Sequence, residues 1–134
     1  MSKRVVIVDD TAFMRLTLKN MLTSFGYEVV GEGSDGFDAV SLYKRLKPDI
    51  ITMDITMPKK DGIEAVKEIL SFDPKARVIM VSAMGQKNKV MDAVTAGAKD
   101  FIVKPFKPER IDEALARIEG REPSSEIQVD KDKQ

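Results

Sequence analysis

Five short apolar runs, each followed by a longer stretch of helical period, fill most of this 134-residue chain. The strands read at residues 4–9, 27–32, 49–54, 77–82 and 99–103. After the first, Met14, Leu18, Met21, Leu22 and Phe25 recur at the spacing of one helical face, and Gly26 stops the helix. A second helix covers 37–46, and Pro48 forbids its continuation. Ile63, Val66, Ile69 and Leu70 mark a third helix. Val90, Met91, Val94 and Ala98 mark the core face of a fourth, and Ile111, Leu115 and Ile118 that of a fifth, closed by Gly120. Strands joined by single helices pair in parallel through right-handed crossovers, so helices must cover both faces of one sheet. The pattern predicts an α/β fold, a (βα)5 doubly wound five-stranded parallel sheet. Its nearly all-apolar first, third and fourth strands should lie in the middle. Residues 1–120 read as one domain. Residues 121–134 form a polar tail with Pro123, two serines and only Ile127 and Val129 apolar, which predicts flexibility.

In such sheets ligands bind at the C-terminal strand ends, beside the point where strand order reverses. The residues that end these runs are therefore the ones to examine. Asp9-Asp10 ends the first, Asp54 the third, Ser82-Ala83 the fourth and Lys104-Pro105 the fifth. Three carboxylates and one ammonium converging at one edge need a hard divalent cation, which points to Mg²⁺ and phosphoryl chemistry. Each signal has a plain alternative. Asp10 could cap the helix after it, Ser82 could cap the one beginning near Gln86, and Lys104 could simply reach to solvent. Asp54 resists such a reading, because Ile55-Thr56-Met57-Pro58 does not begin a helix. The Lys104-Pro105 bond is also where a cis peptide would direct the lysine.

Composition narrows the chemistry further. The 22 basic and 22 acidic residues cancel, which argues against bulk-charge binding to nucleic acid. Without histidine or cysteine there is no imidazole or thiolate ligand and no histidine-activated nucleophile. The chain carries no signal-like leader and no membrane-length apolar run, so a cytoplasmic setting is expected. Gly31-Glu32-Gly33-Ser34-Asp35-Gly36 matches the glycine pattern of dinucleotide sites, with Asp54 at a plausible ribose-binding distance. That alternative leaves Asp9, Asp10, Ser82 and Lys104 without roles. A dehalogenase-type phosphohydrolase needs a second acid two residues after its nucleophile, where this chain has Thr56.

Val8-Asp9-Asp10, Met53-Asp54-Ile55-Thr56-Met57-Pro58, Ser82-Ala83 and Phe101-Ile102-Val103-Lys104-Pro105-Phe106 occur in one order. In this the chain resembles the receiver domains of two-component response regulators over about residues 3–119, and most of all the stand-alone regulators of chemotaxis. The resemblance implies a flavodoxin-like sheet in the order 2-1-3-4-5. It implies Asp54 as phosphoryl acceptor, and Mg²⁺ on Asp10, Asp54 and the Thr56 carbonyl, with Asp9 acting partly through water. Ser82 and Lys104 would contact phosphoryl oxygens. Phe101 would be the aromatic switch on an output face that includes Met84 and Lys87. The implied phosphodonor is a histidine kinase of the chemotaxis type (CheA-like). The implied target is a motor-switch or adaptor protein docking on the fourth helix, fifth strand and fifth helix, and a phosphatase is a further implied partner. A phosphorelay intermediate or another single-domain regulator is the alternative within the family. The protein would be a monomer and no enzyme beyond its own phosphorylation and dephosphorylation. Thr56 and Met84 would flank the path of the hydrolytic water. Between Met84 and Pro108, five lysines (Lys87, Lys89, Lys99, Lys104, Lys107) stand against two aspartates (Asp92, Asp100), which predicts a basic output face and an acidic partner.

Overall fold

The computed structural model describes residues 3–83 and 85–123. Met84 and the end of the tail, with Ile127 and Val129, lie outside the described residues. Strands and helices alternate without exception: β1 (Arg4–Val8), α1 (Ala12–Ser24), β2 (Glu28–Gly33), α2 (Gly36–Leu46), β3 (Ile50–Asp54), α3 (Gly62–Phe72), β4 (Val78–Ala83), α4 (Lys87–Ala96), β5 (Asp100–Lys104) and α5 (Pro108–Glu119). All five strands pair in parallel in the order β2-β1-β3-β4-β5. The order reverses at β1 and β3, whose C-terminal ends carry Asp9-Asp10 and Asp54.

Successive strand residues face opposite sides of the sheet, and the core divides accordingly. Val6, Val8, Ile51, Met53, Val78 and Met80 pack against α2, α3 and α4, together with Leu42, Val66 and Ile69. Val5, Ile7, Ile50, Ile79 and Ile102 pack against α1 and α5 with Leu18, Leu22, Ile111 and Leu115. Because β1, β3 and β4 are covered on both faces, their residues are apolar almost without interruption. The first three helices start on side-chain caps. Thr11 Oγ1 accepts from the Met14 amide, Asp35 from Asp38 (2.8 Å) and Asp61 from Glu64 (2.9 Å). Buried Asp100 holds helix α5 from both ends, accepting from Arg110 in its first turn (3.4 Å) and Arg117 in its last (3.2 Å).

One expected helix face is corrected. Met91 and Val94 are 60% and 46% exposed, and Val90 and Ala93 face the core instead. Helix α4 ends at Gly97, whose φ of 116° is left-handed, so Ala98 belongs to the connection rather than to the helical stripe. A three-residue step from Val90 to Ala93 fills the inner face, which turns Met91 and Val94 outward. They line a cleft of about 280 Å³ with Phe101 and Val103 beside β5. No helix among the described residues is long and apolar enough to cross a membrane.

Candidate metal and phosphoryl site

The ends of β1, β3 and β5 bring Asp9, Asp54 and Lys104 together. Lys104 Nζ donates to Asp9 Oδ2 at 2.9 Å and lies 3.7 Å from Asp54 Oδ2. Asp9 is fully buried, and its other oxygen accepts from the Thr11 amide (2.9 Å) and hydroxyl (3.0 Å). The capping alternative is thus divided between neighbours: Thr11 is the cap of α1, Asp9 braces it, and Asp10 stands exposed. One carboxylate oxygen from each of Asp9, Asp10 and Asp54 lies within 4.8 Å of the others.

The Asp54 carboxyl is pushed up to about 7, chiefly by burial; Lys104 opposes the rise, while the charges of Asp9 and Asp10 and a hydrogen bond with Asp10 add to it. Three clustered carboxylates exceed what one ammonium can neutralise. Oxygen donors of this kind suit a small hard cation such as Mg²⁺, so the residues present fit the expected ion. Asp9 has both oxygens engaged within the protein, which leaves Asp10 and Asp54 as the more available ligands.

Ser82 sits at the end of β4, opposite Val103 in the ladder, and is fully buried. Its hydroxyl has no hydrogen-bond partner among the described residues. It does not cap α4, whose first turn begins beyond Gln86. A buried hydroxyl left without a partner costs about 1–3 kcal/mol, and a ligand oxygen at this edge would relieve that cost. The Lys104-Pro105 peptide is cis. Phe101 is half-buried against the α3–α4 side of the core, and Lys87 is exposed in the first turn of α4. Met84 belongs to the undescribed positions.

The glycine-rich turn has a different explanation from a nucleotide site. Asp35 and Asp38 already occupy the α2 N-terminus, where Asp38 accepts from the Ser34 amide and Asp35 from the Asp38 amide. An anion there would meet two carboxylates. Gly36 is required by packing, since a Cβ would fall 2.5 Å from the Lys60 carbonyl oxygen. That approach pins the loop between β3 and α3, and the Gly36 amide donates to the same oxygen at 2.8 Å. Gly62 is tighter still, for its Cβ would fall 2.2 Å from the Asp54 carbonyl oxygen.

Two side chains at the site were not singled out by sequence. Arg15 Nη1 donates to the Asp9 carbonyl at 2.6 Å. Gln86 bridges two loops, accepting from the Ala83 amide at 2.9 Å and donating to Thr56 Oγ1. A glutamine at a helix start has no chemistry of its own to assign it a role. Only its distance of four residues from Ser82 could have drawn attention to it.

With this geometry in view, comparison with known proteins identifies the class. The chain belongs to the response regulator receiver domain family, whose pattern it matches over residues 5–116. Within the family it is CheY-like, a phosphorylation-activated receiver of two-component chemotaxis signalling. It is 60% identical over 118 residues to the chemotaxis protein CheY of Thermotoga maritima, covering 88% of this chain and 98% of that one. It is 56% identical over 115 residues to chemotaxis protein CheY of Bacillus subtilis, covering 86% and 96%. It also superposes on a chain of the crystal structure of the CheX-CheY-BeF3-Mg²⁺ complex from Borrelia burgdorferi. There the TM-score is 0.83 and the identity 42%, over 87% of this chain and 88% of that one.

Proposed function

We propose that Asp54 is the phosphoryl acceptor of this receiver, with Asp10, Asp54 and the Thr56 carbonyl holding Mg²⁺ and Ser82 and Lys104 meeting the phosphoryl oxygens. The observation that carries the reading is the joint geometry of one edge. A lysine ammonium is shared between Asp9 and Asp54, 2.9 Å from one and 3.7 Å from the other, while the neighbouring strand presents a buried hydroxyl with no partner among the described residues. The complex that this chain resembles contains BeF3 and Mg²⁺, which supports the same assignment.

In the proposed reaction an Asp54 oxygen attacks the phosphorus of a phosphohistidine on a partner kinase. The P–N bond breaks, its electron pair stays on the imidazole nitrogen, and that nitrogen is protonated. Mg²⁺, when bound, would offset negative charge on the transferring oxygens. Lys104 contributes a positive charge already held at the site, so little reorganisation is needed as charge moves onto the phosphoryl group. The product is an acyl phosphate, and water later cleaves its C–O–P linkage at phosphorus to restore the carboxylate. Hydrolysis releases inorganic phosphate, so each cycle consumes one phosphodonor and returns the protein to its starting state.

The new group adds charge and three acceptor oxygens at Asp54. Drawing Ser82 and Lys104 toward it moves the ends of β4 and β5, to which the α4 cleft and Phe101 are attached. The downstream partner would dock on that face, where exposed Met91, Val94 and Val103 adjoin Lys87 and Lys107. Exposed Phe13 and Leu16, on α1 just beyond the acidic pair, offer an apolar surface for the phosphodonor or a phosphatase. We place it in the cytoplasm, acting as a monomer. Incubating the protein with Mg²⁺ and acetyl phosphate or beryllofluoride, with NAD and ATP titrated in parallel, tests the assignment. Wild type should gain one phosphoryl group by intact mass and Asp54→Asn none, with neither nucleotide binding. Labelling of Asp54→Asn at the wild-type rate would remove Asp54 from this role.

A further inference from the structure

We infer that Gln86 is a positioning residue that latches the resting state by occupying groups which the phosphorylated site needs free. This rests on the assignment of Asp54 as acceptor. The side chain spans the two loops on either side of the acceptor: Oε1 accepts from the Ala83 amide at 2.9 Å, and Nε2 donates to Thr56 Oγ1. Thr56 follows Asp54 by two residues, and Ala83 follows Ser82 by one. No other side chain joins these loops in the described hydrogen bonds.

The direction of the Ala83 amide gives the latch its meaning. Val81 pairs with Asp54 in the ladder, and its carbonyl accepts from the Ile55 amide at 3.1 Å, so the polar groups of Val81 point toward β3. Backbone groups alternate sides along a strand, so the amide of Ala83, two residues on, points the same way. It therefore faces the space just past the end of β3, beside Asp54. A phosphoryl group there brings three strong acceptor oxygens. Ser82 supplies an unengaged hydroxyl and Lys104 an ammonium. The Ala83 amide is a third donor on the same side, and in the resting protein Gln86 has it.

The latch is built to let go. Gln86 stands at the N-cap position of α4 but makes no side-chain cap bond to that helix, so releasing it leaves the helix start unchanged. Both of its partners, Ala83 and Thr56, are on exposed residues, where water can replace the carboxamide at small cost. A bond made in the resting state alone biases the equilibrium against the phosphorylated arrangement, by its differential free energy between the two states.

Beryllofluoride with Mg²⁺, titrated calorimetrically into the 134-residue chain, measures the bias. Gln86→Ala should bind the acyl-phosphate mimic roughly fivefold tighter, the worth of about one hydrogen bond. Thr56→Val should give a smaller gain and add nothing on top of Gln86→Ala. Hydrogen exchange without metal gives a second readout: the Ala83 amide should exchange faster in Gln86→Ala, while amides of β1 keep their wild-type rates. Unchanged or weaker binding by Gln86→Ala, additive effects of the two substitutions, or unaltered exchange at Ala83 would each overturn the latch. Retained beryllofluoride binding by Asp54→Asn would instead overturn the acceptor assignment, whatever Gln86 does.

Discussion

Asp54 carries two opposing demands. In the proposed role of nucleophile it must be ionised, yet its pKa is pushed up to about 7, chiefly because burial favours the neutral form. A carboxyl raised above its unfolded value stabilises the fold while protonated. That contribution is complete below about pH 4 and is lost as pH rises through about 7. Metal-free protein should therefore melt at progressively lower temperature from pH 4 to pH 8. Asp54→Asn, which has no charge to bury, should melt above wild type at pH 8 and close to it at pH 4. Saturating Mg²⁺ should shrink the difference at pH 8, because the ion favours the carboxylate. Scanning calorimetry of both proteins, with and without Mg²⁺, reads all three outcomes. Gly62 belongs to the same residue-level account, since a methyl group there would strike the Asp54 carbonyl at 2.2 Å. Gly62→Ala should cost about 1–3 kcal/mol of stability and, by displacing the acceptor's backbone, slow acetyl phosphate labelling more than its melting temperature explains. Denaturant titration and the labelling rate under native conditions separate the two effects.

At the scale of elements, all ten strands and helices were legible from hydrophobic period and from glycine and proline stops, with ends off by one or two residues. The reasons lie in particular residues. Tyr27 is buried but precedes the β2 ladder, which starts at Glu28. Helix α2 begins at Gly36 rather than Phe37 because Asp35 caps it. On α4 the apolar pattern misled, because Val90 and Ala93 already fill the inner face. Met91 and Val94 look like core positions in sequence and are solvent-facing in the fold. The acidic pair, Asp54, Ser82 and Lys104 were legible because each ends an apolar run and parallel strands must share an edge. The Gln86 bridge was not, since it depends on how two loops approach each other and leaves no periodic trace. The glycine-rich turn was a false lead, and close packing against Lys60 accounts for it.

Over the whole molecule the charges balance, but not locally. Lys104 turns into the site and Asp100 is buried beneath Arg110 and Arg117. The expected surplus of lysine therefore persists on the surface as Lys87, Lys89, Lys99 and Lys107 against Asp92. Association of the phosphorylated protein with its target should weaken several-fold between about 50 and 300 mM salt, mainly through a slower on-rate. Surface plasmon resonance across that range measures it, and salt-independent binding would exclude an acidic docking partner. The contact between Lys104 and Asp9 spans 95 positions of sequence, and Asp54 stands between them on a strand of its own. A fragment through β3 carries Asp9, Asp10 and Asp54 but not Lys104, so a chain whose last strand is still undocked holds acids without their counter-charge. On the proposed assignment, competence to accept a phosphoryl group therefore waits until β5 has docked.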